Sequence, residues 1–251
     1  MTENKWALVT GASSGLGLEF VRQLAIQGHD IVLVGRNEGR LEAVAAEIEK
    51  NYFSTTEVIR ADLVSARGIA KVCARLKSVD RPIRVLINNA GSGIMEKFEA
   101  SSREDERDQL AIHVTAPLEL SKAAIPGMLS RREGRIVIVS SVAGYLFRGT
   151  YSSHKSWGLN FARSMNASYR QRGVHFSAVA PGFTRTEFHQ RMGMDAAKVP
   201  NMLWLKPPVV VRAALRAVAT GRSTTIPSLR YKLLVALGIV VPRRWHQKFF
   251  S

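Results

Sequence analysis

Trp6-Ala7-Leu8-Val9-Thr10-Gly11-Ala12-Ser13-Ser14-Gly15-Leu16-Gly17 is a short apolar run that stops at a glycine and leads into a helically spaced segment. A strand, a tight turn and the start of a helix fit this pattern. Gly11 permits the turn, Gly15 lets the backbone come close to a pyrophosphate, and Gly17 lets the helix pack on the strand. The first turn of a helix also presents unpaired N–H groups and a partial positive charge. Gly11, Ser13, Ser14, Gly15, Leu16 and Gly17 are therefore the candidate phosphate contacts. The spacing is G-x-x-x-G-x-G, and its weight comes from the strand-then-helix setting more than from the glycines.

The same alternation continues outward along the chain. Strand-like runs recur at Ile31–Val34, Val58-Ile59, Val85–Ile87, Ile136–Val139 and Phe176–Val179. Helical spacing occupies Leu16–Gln27, Leu41–Lys50, Asp105–Ser130 and Ser153–Arg172. Short buried strands alternating with helices predict an α/β fold: one doubly wound domain over 1–251, its parallel sheet covered by helices on both faces. Ligands then bind outside the carboxyl ends of the strands. There is no internal repeat or Gly/Ser linker.

The end of the second strand bears on the choice of dinucleotide. A cofactor with a bare ribose wants a carboxylate there. The sequence instead has Val34-Gly35-Arg36-Asn37, with Arg36 lying 19 residues after Gly17. A guanidinium suits a 2′-phosphate, so NADP(H) is expected over NAD(H), with Arg36 and Asn37 at the phosphate. A plain surface arginine is the alternative.

Tyr151 and Lys155 stand four apart and share one face of a helix. An ammonium near a phenol favours the phenolate, which suits a general acid/base. Ser141 ends the Arg135–Val139 strand region and is placed either to hydrogen-bond a substrate oxygen or simply to turn the chain. No metal-ligating cluster is expected.

Taken in order, these segments resemble the short-chain dehydrogenase/reductase family. The matches are the Thr10–Gly17 loop, Asp62-Leu63, Asn88-Asn89-Ala90-Gly91, Ser141, Tyr151 with Lys155, and Pro181-Gly182 followed by Thr184 and Thr186. The resemblance implies a Rossmann-like sheet of about seven strands. It implies Asp62 and Leu63 at the adenine, Asn89, Ala90 and Gly91 beside the cofactor, and Pro181, Gly182, Thr184 and Thr186 at the nicotinamide. It makes Tyr151, Lys155 and Ser141 the catalytic set, with Lys155 also reaching the nicotinamide ribose. Two departures stand out. His113 occupies the position of an asparagine that helps hold a relay water, and is either its substitute or a satisfied core histidine. The Ser141–Tyr151 gap is ten positions where relatives have about 12–13, so the Tyr145–Thr150 loop is short and the place of Ser141 is open.

Composition narrows the rest. The net charge is +16, and the ten Lys and Arg residues from Ala196 to Ser251 are accompanied by no Asp or Glu. This is either a solubilising face or an attraction to something anionic: the phosphorylated cofactor, an acidic carrier protein or an acidic membrane. Nucleic-acid binding is not expected, since no recognition motif accompanies the charge. The single cysteine, Cys73, fits a reducing compartment. No signal peptide is read at the start. The Leu233–Val241 run is too short for a membrane span of about 20 residues, and a soluble cytoplasmic protein is expected. Residues 183–206 carry Phe183, Phe188, Met192, Met194, Met202, Leu203, Trp204 and Leu205, and read as a segment covering an apolar carbonyl or alcohol substrate. The basic, apolar stretch 229–250 suits a membrane surface, a protein partner or a subunit interface. A homo-oligomer is expected from the resemblance alone. A non-catalytic NADP(H) sensor on the same fold is the competing function.

Overall fold

The structure, a computed structural model, describes residues 5–94, 96–147, 149–188 and 199–240, with 238–240 described by backbone alone. Seven strands form one sheet: β1 (Lys5–Thr10), β2 (His29–Gly35), β3 (Thr56–Arg60), β4 (Ile83–Asn88), β5 (Gly134–Val139), β6 (Val174–Val179) and β7 (Thr224–Thr225). Their order is β3-β2-β1-β4-β5-β6-β7, and every pairing is parallel. The chain winds outward from β1 to β3, then returns to lay β4 on the other side of β1. The crevice between β1 and β4 is the switch point at which such sheets bind ligands.

Among the described residues the α-helices are α1 (Gly15–Ile26), α2 (Glu38–Tyr52), α3 (Ala66–Lys77), α4 (Arg103–Leu110), α5 (Ala116–Arg131), α6 (Gly149–Tyr169), α7 (Pro207–Ala219) and α8 (Leu229–Val240). They cover both faces of the sheet. Along β1, Trp6 and Leu8 pack into one core with residues of α3, α5 and α6, while Ala7 and Val9 pack into the other with α1, α2 and α7. Side chains alternate across a strand, so a sheet covered on both faces needs apolar residues at every position. That is why its central strands read as unbroken apolar runs.

Two elements differ from the sequence reading. The single helix expected over Asp105–Ser130 is interrupted by a π turn at Ala111–Thr115 between α4 and α5. Pro117 supplies the reason: without an N–H it cannot close the i→i−4 bond onto His113, and the ladder widens just ahead of it. β7 is only two residues long, too short to show a period.

Candidate active site

The glycine loop is built as its residues dictate. Gly11 and Gly15 have φ of +66° and +57°, in the left-handed region where a side chain is strained. A Cβ at Gly17 would overlap the carbonyl of Gly11, so the helix approaches the turn closer than any other residue allows. Thr10 and Asn89 tie this loop to β4. The Thr10 hydroxyl accepts from the Asn89 and Ala90 amides at 2.9 and 3.0 Å, and the Asn89 side chain donates to the Thr10 carbonyl at 2.8 Å. Asn89 thus shapes the cradle wall, while Ala90 and Gly91 continue along the cleft. Leu63 is buried under the neighbouring strand end. Asp62 is exposed and accepts from the Val64 amide at 3.1 Å.

Arg36 is exposed at the end of β2, and Asn37 caps α2 by accepting from the Arg40 amide at 3.0 Å. Arg40 itself forks onto Glu187 at 2.9 and 3.2 Å, joining α2 to the segment after β6. In that segment Pro181 and Thr184 are buried, and Thr186 lies against Gly15, 3.2 Å from where a Cβ would stand. The segment after β6 therefore lies beside the glycine loop. Thr184 and Leu205 pair as an isolated bridge, and Phe183 packs on Trp204 with centroids 5.7 Å apart. Of the candidate covering segment, Met192 and Met194 lie outside the described residues, as do Arg243, Arg244, Trp245, Phe249 and Phe250 at the C-terminus.

Across the cleft, α6 carries Tyr151 and Lys155. The Ser141 hydroxyl accepts from the Ala143 amide at 3.1 Å, capping a 3-10 turn over Val142–Tyr145, and stands close enough to the Tyr151 phenol to favour its ionised form. That compact turn absorbs the short spacing, and Ser141 and Tyr151 meet despite it. Gly144 lets the turn press on the Lys155 backbone, and the Ser140 hydroxyl donates to the Lys155 carbonyl at 2.7 Å.

Lys155 is buried, and its ammonium is held by His113 Nδ1 and the Val139 carbonyl, each at 3.1 Å. His113 Nε2 lies 2.6 Å from the Ser92 carbonyl. A carbonyl only accepts, so Nε2 carries the proton and Nδ1 is free to accept from Lys155. Both contacts require the neutral ring, and burial with the nearby ammonium holds its pKa well below the usual histidine range. Gly91 makes room: a Cβ there would stand 2.6 Å from His113 Cε1. Burial pushes the Lys155 ammonium down to about 7.

The expectation that this ammonium lowers the Tyr151 phenol is corrected. Burial pushes Tyr151 up to about 12, opposed only by the Ser141 hydroxyl. The cause is geometric. The Lys155 Nζ is turned to His113 and Val139 and stands 5.5 Å from the centre of the tyrosine ring.

Four structural players were not singled out in the sequence. His154, read only as a spacer between Tyr151 and Lys155, stacks on His113 at 6.3 Å. Tyr231 holds the segment after β6 from α8. Arg40 and Ser92 make the contacts given above. Only Arg40 had a visible signal, one turn beyond the strand-end Arg36.

Known proteins share this fold. The short chain dehydrogenase family profile matches residues 5–197. A very-long-chain 3-oxoacyl-CoA reductase of Aspergillus terreus is 31% identical over 237 residues, covering 91% of this chain and 64% of that protein. The chain thus spans less than two thirds of that relative's length. A short-chain dehydrogenase from Sphingobium yanoikuyae, solved in complex with NADPH, superposes with a TM-score of 0.85 at 30% identity, over 98% of this chain and 96% of that one. The bulky-bulky ketone specific alcohol dehydrogenase of Comamonas testosteroni superposes with a TM-score of 0.82 at 28% identity, over 100% of this chain and 96% of that one.

Proposed function

The chain belongs to the short chain dehydrogenase family, and from that premise we propose that it is an NADP(H)-dependent oxidoreductase reducing an apolar ketone to a secondary alcohol. The observation that carries the proposal is Tyr151 and Lys155 one helical turn apart on the same face of α6 at the carboxyl end of the sheet, with Ser141 acting on the Tyr151 phenol.

The residues present fit a dinucleotide. The positive φ of Gly11 and Gly15, and the contact at Gly17 that a Cβ would fill, leave a cradle against the first turn of α1. Gly11, Ser13, Ser14, Gly15, Leu16 and Gly17 would hold the pyrophosphate. Arg36 and Asn37 would hold the 2′-phosphate, Asp62 and Leu63 the adenine, and Asn89, Ala90, Gly91, Pro181, Gly182, Thr184 and Thr186 the remaining length. Bound there, the cofactor supplies the hydride.

Tyr151 donates its phenolic proton to the substrate oxygen, and Ser141 hydrogen-bonds the same oxygen. Lys155 has three N–H donors, of which His113 and Val139 take two. The third is left for the cleft. His113 acts through Lys155: its neutral ring fixes where the ammonium points. Phe183, Trp204 and Leu205 would face the substrate, and these apolar side chains favour a bulky or long-chain ketone. The names of the Aspergillus and Comamonas relatives support that choice. The domain is one unit over 1–251, and the helix bearing Tyr151 is the expected place for self-association.

The test is NADPH oxidation against ketones of rising chain length, with Tyr151→Phe as control. Turnover that rises with chain length and falls by about a hundredfold or more in the variant supports the reading. Tight NADPH binding without turnover of any ketone would instead favour a non-catalytic sensor.

A further inference from the structure

Between the carboxyl ends of β4 and β5 and the helices α5 and α6 lies a cavity of about 10 Å³, whose lining includes Asn88, His113, Ser140, His154 and Lys155. A space of about 10–15 Å³ holds one water and nothing larger. Asn88 Oδ1 and His154 Nδ1 are both buried, and neither has a hydrogen-bond partner among the described residues. One is an acceptor and the other is donor or acceptor according to tautomer. A single water satisfies both, and buried polar atoms in proteins are rarely left unsatisfied.

The place of this cavity gives it chemical meaning. Each reduction takes one proton from solvent, and that proton must reach the Tyr151–Lys155 pair. His113 cannot pass it on. Its Nε2–H is spent on the Ser92 carbonyl, which is not a base, and its Nδ1 is occupied by Lys155. His154 lies next to it, with the two rings stacked at 27°. Unlike His113, it is only half-buried. The charged and titratable groups acting on it are Glu106 from α4, which favours its protonation, and Lys155 from α6, which opposes it. His113 faces it from the π turn. β4 contributes Asn88 to the cavity wall, and β5 contributes Ile138 and Val139 with Ser140 just beyond it, none of them charged.

We propose that His154 is a positioning residue which, through one water held between its Nδ1 and Asn88 Oδ1, connects Lys155 to the surface and resupplies the proton used in each reduction. The inference rests on the reductase reading above. Protons balance simply. Lys155, once it has passed a proton toward Tyr151, is a neutral amine and takes one from the water. The water takes the Nδ1 proton of His154, His154 takes one from solvent at Nε2, and the ring regains its Nδ1–H tautomer by exchange with solvent before the next reduction. No bond between heavy atoms changes and no electron moves.

Two variants and a structure test it. His154→Ala removes the group, whereas His154→Asn keeps a hydrogen-bonding atom near the Nδ1 position but cannot carry a proton. Both are expected to lower kcat for ketone reduction by about tenfold, less than loss of the general acid itself. The KM for NADPH should be unchanged, the solvent isotope effect on kcat should rise, and added imidazole should restore His154→Ala. A crystal structure of the cofactor-free wild-type protein should show a water within hydrogen-bonding distance of Asn88 Oδ1 and His154 Nδ1. Wild-type kcat and isotope effect in His154→Asn would overturn the proposal. So would a cavity without that water. A wild-type protein that turns over no ketone would instead sink the reductase reading, and the crystal structure alone then judges the water.

Discussion

The ring of Tyr231 fills the space that a side chain on Gly182 would need, so a Cβ at Gly182 would overlap the ring. Its hydroxyl accepts from the Phe183 amide at 3.0 Å and donates to the Leu203 carbonyl at 2.8 Å. One phenol on α8 thus fastens both ends of the segment beside the cofactor cradle. Tyr231→Phe should destabilise the protein by about 1 kcal/mol, the usual worth of such bonds, and raise the KM for long-chain ketones more than that for NADPH. Gly182→Ala should be worse on both counts. Thermal melts and steady-state kinetics on the two variants check this.

Arg36 is exposed at the end of β2 with no acidic residue beside it in the sequence. Arg36→Ala should weaken NADPH binding by about tenfold or more while barely changing NADH binding, since only the former carries the 2′-phosphate that a guanidinium recognises. Fluorescence titrations with both cofactors read this out. Equal losses for the two would remove Arg36 from the phosphate site.

Gly91 and His113 form a tight pair, because a Cβ at Gly91 would stand 2.6 Å from His113 Cε1. Gly91→Ala should therefore cost about 1–3 kcal/mol in overpacking. The cost should shrink in a His113→Ala background, where the clash is gone. A double-mutant cycle with denaturant melts measures the coupling, expected at about 1 kcal/mol or more. Additive losses would mean that Gly91 serves some other purpose.

Lys155 links stability to pH. The folded protein releases this proton at about 7, whereas the unfolded chain does so near 10.4. Between those values the unfolded state binds more protons, so the Lys155 contribution makes stability rise with pH across that window. Lys155→Met removes the contribution. Its melting temperature relative to wild type should be most favourable near pH 7 and should decline steadily toward about pH 10. A difference that does not vary with pH would show that the amine is hydrated and titrates normally.

α8 packs Tyr231 and Val235 inward and leaves Leu229, Leu233 and Leu237 exposed at 75%, 65% and 64%, with Arg230 and Lys232 among them. No helix of the described residues is long and apolar enough to cross a membrane. An exposed apolar face with basic neighbours suits an acidic lipid surface. Sedimentation with phosphatidylserine vesicles at low salt should retain the protein, and Leu233→Glu with Leu237→Glu should release it. Retention that survives both changes would move the contact elsewhere.

The parts of the molecule that obey a period were legible in the sequence. β1, β2, β4, β5 and β6 announced themselves as apolar runs, because both faces of the sheet are covered. Gly11, Gly15 and Gly17 were legible because each answers a backbone demand that no other residue meets. What escaped reading depends on contacts between segments far apart in the chain. The bond from Lys155 to His113 spans 42 positions, and that from Phe183 to Tyr231 spans 48. The upward displacement of the Tyr151 phenol escaped for the same reason. It depends on where the Lys155 ammonium points, and the four-residue spacing alone does not say.

The π turn at Ala111–Thr115 leaves the chain one residue longer there than a regular helix would need. Each α-helical residue turns the chain by about 100°. Removing one residue between Leu110 and Pro117 would let the ladder close, at the cost of rotating one flank against the other by that angle. His113 would then swing off Lys155, or α4 would swing off Ser92 and Gln109 would lose the Ser92 hydroxyl it holds at 2.7 Å. The helix therefore has a forbidden length. Substitutions along α4 and α5 are tolerable one at a time, but a single-codon deletion inside this turn should abolish activity even in a protein that gains helical regularity from it.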